Sequence, residues 1–150
     1  MEFSELKQRL ISFDQKEIGQ GASSSEIQRA QDILGVIFPD DYAAFLREYG
    51  WASIGYWEIY GLGTDVPAYL NLIEVTLSER QEMEPNLPNT LIPLMNDGGG
   101  NLYCLDTSQC VDSICQVVYW DHERGSHQQP EKVAEDFTSW LVRGMEQMLS

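Results

Sequence analysis

Leu91-Ile92-Pro93-Leu94-Met95, followed by Asn96-Asp97-Gly98-Gly99-Gly100-Asn101 and then Leu102-Tyr103-Cys104-Leu105-Asp106, is the stretch that decides the fold. Two apolar runs of strand length flank a segment made of Gly, Asn and Asp, the residues that tolerate positive φ. The pattern predicts a hairpin or another tight strand connection. Downstream, Gln116-Val117-Val118-Tyr119-Trp120-Asp121 is a further strand, expected to pair antiparallel after a short turn near Asp112-Ser113. Upstream, Ile54-Gly55-Tyr56-Trp57-Glu58-Ile59-Tyr60 is aromatic and β-branched, and it reads as one strand ended by Gly61. The middle of the chain is therefore sheet.

Helices lie on both sides of it. Phe3, Leu6, Leu10 and Phe13 recur at helical spacing. Ser23 with Glu26 forms a capping box ahead of the stripe Ile27, Ala30, Ile33 and Leu34, and Gly35 supplies the left-handed stop. Pro39-Asp40-Asp41 opens a third helix, with Pro suited to the first turn and acids opposing the dipole. Tyr42, Phe45, Leu46 and Tyr49 line its face, and Gly50 closes it. Between Val66 and Glu84 the pattern is ambiguous; Leu70, Ile73 and Leu77 fit a helix ending before Pro85. A last helix is expected from about Pro130, carrying Val133, Phe137, Trp140, Leu141, Met145 and Met148. With no linker and no repeat, residues 1–150 read as a single α+β domain, a mostly antiparallel sheet flanked by N-terminal and C-terminal helices.

A chain of 150 residues buries about 70% of its unfolded surface and needs no staple. It carries 24 acids against 9 bases, a net charge of −15, which disfavours direct binding to nucleic acid or to an anionic membrane. The charge is uneven: residues 48–123 hold 12 acids and one base, Arg80, while both flanking segments are nearly balanced. Such a field attracts basic partners, although plain solubility gives the same count. Cys104, Cys110 and Cys115 match no zinc or redox spacing. Cys110 and Cys115 could face each other across a hairpin, but an odd count beside an N-terminus without a signal-peptide pattern argues for reduced thiols and a cytoplasmic protein.

No constellation announces chemistry. The loop Gly98-Gly99-Gly100 joins apolar runs and lacks the Lys of a phosphate loop or the alternating ligands of a calcium loop, so it reads as a structural turn. His122 and His127 lack the helical spacing of a zinc pair. Asp97, Asp106, Asp121 and His122 all fall at strand ends, and an enzyme would need them to converge. No metal or cofactor is expected. Tyr49, Trp51, Tyr56, Trp57 and Tyr60 crowd aromatic rings into the acidic segment, which is hot-spot composition if they are exposed and core if they are not. Trp51, Trp57, Glu58, Asp65, Glu82 and Glu84 are the candidate partner-binding residues; Gly35, Pro39, Gly50, Gly98, Gly99, Gly100 and Trp120 are the structural ones.

In order along the chain, Ser23-x-x-Glu26-Ile27, Leu34-Gly35, Phe38-Pro39-x-Asp41-Tyr42-x-x-Phe45-Leu46-x-x-Tyr49-Gly50 resembles the N-terminal half of the SUKH superfamily, the Smi/Knr-type domains. Tyr60-Gly61-Leu62, Leu91-Ile92-Pro93-Leu94, Gly98-Gly99-Gly100-Asn101-x-Tyr103-Cys104-Leu105-Asp106, Val117-Val118-Tyr119-Trp120-Asp121-His122 and Phe137-x-x-Trp140-Leu141 continue the likeness, over about residues 20–142. Thr64 to Asn89 has no matching pattern, and the turn carries an extra glycine. The resemblance implies a non-catalytic α+β domain. Its bacterial members are mostly immunity proteins that neutralise toxins, often nucleases, and its fungal members regulate cell-wall assembly. A basic toxin partner is the expectation, a regulatory scaffold for an endogenous protein the alternative.

Overall fold

Four antiparallel strands, β4 (Leu91–Asn96), β5 (Leu102–Asp106), β6 (Val117–Trp120) and β7 (Glu131–Ala134), lie side by side in that order in the computed structural model, which describes residues 1–149. Ile92, Leu105, Val117 and Ala134 sit opposite one another across the sheet and join the main core. The alternate residues Leu102, Cys104, Val118 and Trp120 form a second, smaller cluster with Leu87 and Leu91. Both faces of β4, β5 and β6 are covered, which is why those strands are apolar almost throughout rather than alternating, whereas outer strand β7 is exposed at Glu131, Lys132 and Val133. Pro93 sits in outer strand β4, where the register shifts and a missing N–H does little harm.

The helices are α1 (Phe3–Ser12), α2 (Ser24–Leu34), α3 (Asp40–Glu48), α4 (Leu72–Gln81) and α5 (Phe137–Leu149). The Ser23/Glu26 capping box is formed in both directions, and Gly35 ends α2 in the left-handed conformation. Pro39 caps α3 and Gly50, also at positive φ, follows it. Asp41 of α3 accepts hydrogen bonds from the backbone and hydroxyl of Thr138, tying α3 to the first turn of α5. Tyr42, Phe45 and Phe137 pack as a ring cluster at this junction. No helix among the described residues is long and apolar enough to cross a membrane.

A second sheet contains β1 (Lys16–Ile18), β2 (Ala52–Ile54) and β3 (Trp57–Ile59), all antiparallel. It meets the large sheet at a narrow seam: the Tyr60 N–H donates to the Leu94 carbonyl at 2.8 Å, while the Tyr60 carbonyl accepts the buried Tyr42 hydroxyl at 2.8 Å.

Three expectations are corrected. Residues 54–60 are not one strand: Gly55 takes φ +59 and the chain folds back, so that Ile54 faces Trp57 across a hairpin. Residues 131–134 extend the sheet as β7 instead of starting the last helix; Val133 lies in phase with Phe137 by coincidence, and the helix begins at Phe137. Cys110 and Cys115 are disulfide-bonded, leaving Cys104 as the buried free thiol. Asp112 and Ser113, both at positive φ, turn the chain so that Val111 and Ile114 exchange two backbone hydrogen bonds. The flanking cysteines thus occupy the next, close pair of the hairpin, with Cα atoms 4.3 Å apart. The thiol argument for a cytoplasmic setting falls with this bond.

Candidate partner-binding cleft

The β2–β3 turn, the β4–β5 turn and helix α5 come together around Trp57. Its indole stacks on Trp140 of α5, with centroids 4.9 Å apart and planes at 27°. Tyr103 of β5 lies 6.3 Å from Trp57 and 5.6 Å from Trp140, and Tyr119 of β6 lies 5.0 Å from Tyr103. Helix α5 admits the ring because Gly144 stands one turn after Trp140: a Cβ there would come within 2.1 Å of Trp57 Cη2. A glycine inside a helix is unfavourable on its own. Here its missing side chain seats the tryptophan.

Two cavities border this shelf, and both are lined by Trp57 and Tyr103. The larger, about 340 Å³, is bounded by Tyr56, Glu58, Asn96 and Asp97. The smaller, about 190 Å³, reaches Trp140, Arg143 and Val133. Tyr56, at the hairpin tip, is 78% exposed, whereas Trp57 is half-buried. Glu58 is exposed, and its carboxylate near Tyr69 raises that phenol's pKa.

The far wall is the glycine turn. Gly98 and Gly100 adopt φ +99, while Gly99 does not need the left-handed region. Asn96 Oδ1 accepts from the N–H groups of Gly98 (2.8 Å) and Gly100 (3.3 Å), and Asp97 Oδ1 from those of Gly99 (2.8 Å) and Asn101 (3.2 Å). Asp97 Oδ2 accepts the Tyr119 hydroxyl, which in turn accepts from Asn101 Nδ2 at 2.8 Å. Partial burial pushes the Asp97 carboxyl up. The hydrogen bonds from Tyr119, Gly99 and Asn101, with His122 nearby, outweigh it and hold Asp97 below the usual carboxylate range. The same bond raises the Tyr119 phenol.

The four strand-end residues do not converge. Asp97 and His122 share Asn101 as a neighbour, since the His122 N–H donates to Asn101 Oδ1 at 3.0 Å. Asp106 lies at the other end of β5 and accepts from the backbone and hydroxyl of Ser108. Asp121 accepts from the Glu123 N–H and pairs with Arg124 at 3.4 Å. Among the described residues no group of three or more His, Cys, Asp or Glu is placed to hold a metal ion.

Of the six candidate binding residues, the structure brings Trp57 and Glu58 together. Trp51 is only 5% exposed; its Nε1 donates to Asp65 Oδ1, and Asp65 Oδ2 accepts the Gln20 N–H, so this pair braces a loop. Glu82 and Glu84 are exposed but follow α4, where Arg80 donates to the carbonyls of Leu34 and Asn89. That places them beside the end of α2, outside the cleft. Sequence reasoning missed Tyr103 as a lining ring and took Asp97 only as a possible catalyst. The signal that points to the shelf is Gly144, a lone glycine inside an otherwise well-formed helical pattern.

Fold and cleft define a small α+β domain whose exposed chemistry is aromatic and acidic. The chain belongs to the SMI1-KNR4 family: the SUKH_5 model, described as SMI1-KNR4 cell-wall, matches residues 3–146.

Proposed function

We propose that this protein is a non-catalytic binding module, an immunity protein that captures and neutralises a basic toxin, most simply a nuclease. The observation that carries the reading is the coincidence of the acidic segment 48–123 with an open cleft presenting Tyr56, Trp57, Glu58 and Asp97. Exposed aromatics beside carboxylates supply contact area and charge to a basic surface. A nuclease is basic because it must hold phosphates, so an acidic inhibitor meets it with a complementary field. The family description names the cell wall, which favours a second reading in which the same surface holds an endogenous regulatory partner.

The test is stopped-flow association with the toxin encoded beside this chain's gene, across a salt series. A steered encounter slows steeply as salt rises, with dissociation less affected. An association rate indifferent to salt, or no complex at all, overturns the toxin reading.

A further inference from the structure

The larger cavity has the composition of a receptor for one particular side chain. Its walls offer the rings of Tyr56, Trp57 and Tyr103, and two acidic residues are among its lining, Glu58 on the small sheet and Asp97 on the glycine turn. None of its lining residues is basic, so the two charges have no counter-ion within the cavity. Arg143 lines the smaller cavity instead. At about 340 Å³ the space accepts a long side chain.

We infer that this cavity receives an arginine side chain of the bound partner, an inference that rests on the basic-partner reading and names its chemistry. A guanidinium is planar and weakly hydrated; it stacks on an aromatic face while its edge donates to carboxylates. Lysine offers a compact ammonium that cannot stack, and an apolar side chain would leave two carboxylates facing it. Asp97 is already fixed by Tyr119, Gly99 and Asn101, so it does not need to be ordered when the cation arrives. At Gly98 nothing lies within 4 Å of where a Cβ would stand, so the turn leaves room for the partner's backbone.

The test is an amide and indole NMR titration of the intact protein with N-acetylarginine N-methylamide, using the citrulline analogue as a neutral isostere. Expected are saturable shifts at the Trp57 indole N–H and at the amides of Asn96 to Gly98, with an affinity at least about tenfold above that of citrulline. Glu58→Gln and Tyr56→Ala, both at exposed positions, should each weaken arginine about threefold. Equal shifts from citrulline overturn the inference. So do shifts scattered over the acidic surface with a midpoint that neither variant moves. If the double variant E58Q/Y56A binds the toxin as tightly as wild type, the arginine receptor fails while the basic-partner reading stands. If capped arginine binds as expected but no basic toxin does, the receptor stands and the toxin reading fails.

Discussion

Gly144→Ala should destabilise this protein, although the same change in most exposed helices does the opposite. In a helix interior, alanine in place of glycine gains roughly 0.5–1 kcal/mol. At Gly144 the new Cβ would stand 2.1 Å from Trp57 Cη2 and 2.3 Å from Cζ3, distances that no bond-angle relaxation absorbs. Trp57 is half-buried and its ring can swing outward, so the cost is what the ring leaves behind. Stacking on Trp140 is worth about 0.5–1.5 kcal/mol beyond area. Re-exposing some 50–100 Å² of indole and shelf adds roughly 1–2.5 kcal/mol at 25 cal/mol per Å². The balance is a net loss of about 0.5–3.5 kcal/mol, and its centre near 2 kcal/mol lowers the melting temperature by about 4–8 °C for a domain of this size.

Urea denaturation gives the stability, and near-ultraviolet circular dichroism reports whether the Trp57–Trp140 stack persists. The decisive comparison is a double-mutant cycle. In a Trp57→Ala background the obstruction is gone, and Gly144→Ala should then stabilise by about 1 kcal/mol. If Gly144→Ala alone raises stability by that amount and leaves the near-ultraviolet spectrum unchanged, the seat for Trp57 is not what the glycine provides.

Valine at Gly98 or Gly100 should cost about 1–3 kcal/mol in thermal melts, because a β-branched residue resists φ near +99, whereas valine at Gly99 should cost much less. Replacing Cys110 and Cys115 together by serine should lower stability by about 2 kcal/mol, the loop-closure value for so short a loop, and denatured wild type should titrate one thiol. Asp97 has a folded pKa held below its unfolded value, so its contribution is complete above the unfolded pKa of about 3.9 and is lost as pH falls through the lower, folded one. The melting difference between wild type and Asp97→Asn should accordingly be largest near neutrality and shrink below pH 4. Glu58→Lys should slow association with a basic toxin more than Glu82→Lys or Glu84→Lys, and Glu2→Lys in the nearly balanced N-terminal segment should do little; equal losses from all four variants would mean that only total charge matters.

Much of the scaffold was legible because single residues there have one job. Ser23 with Glu26 can only cap, Gly35 sits where the helix must stop, and the Asn-Asp-Gly run could only be a turn. What stayed hidden was settled by distant packing. Lys16–Ile18 is three residues long, two of them charged, and it becomes strand β1 only by lying beside β2. The Gly55-Tyr56 turn is masked by β-forming neighbours on both sides. Val133 reads as helix because strand and helix happen to abut in phase. At the cleft, the aromatic and acidic character was visible, but which rings were outside was not: Trp51 and Trp57 look alike in sequence. The bond from Trp51 Nε1 to Asp65 is what sends the first inward.

The hairpin and the last helix hold each other through exchanged gaps. Gly144 of α5 receives the Trp57 ring, and Gly55 of the hairpin lies where a Cβ would meet Met148 Sδ at 2.7 Å. Each element leaves out a side chain so that the other's can enter. The consequence is one of timing. Residues 52–59 emerge from the ribosome long before Met148 does, and until then the hairpin has nothing to lie against. The cleft is thus completed only when the C-terminal helix is synthesised, so its shape is among the last features of the fold to form.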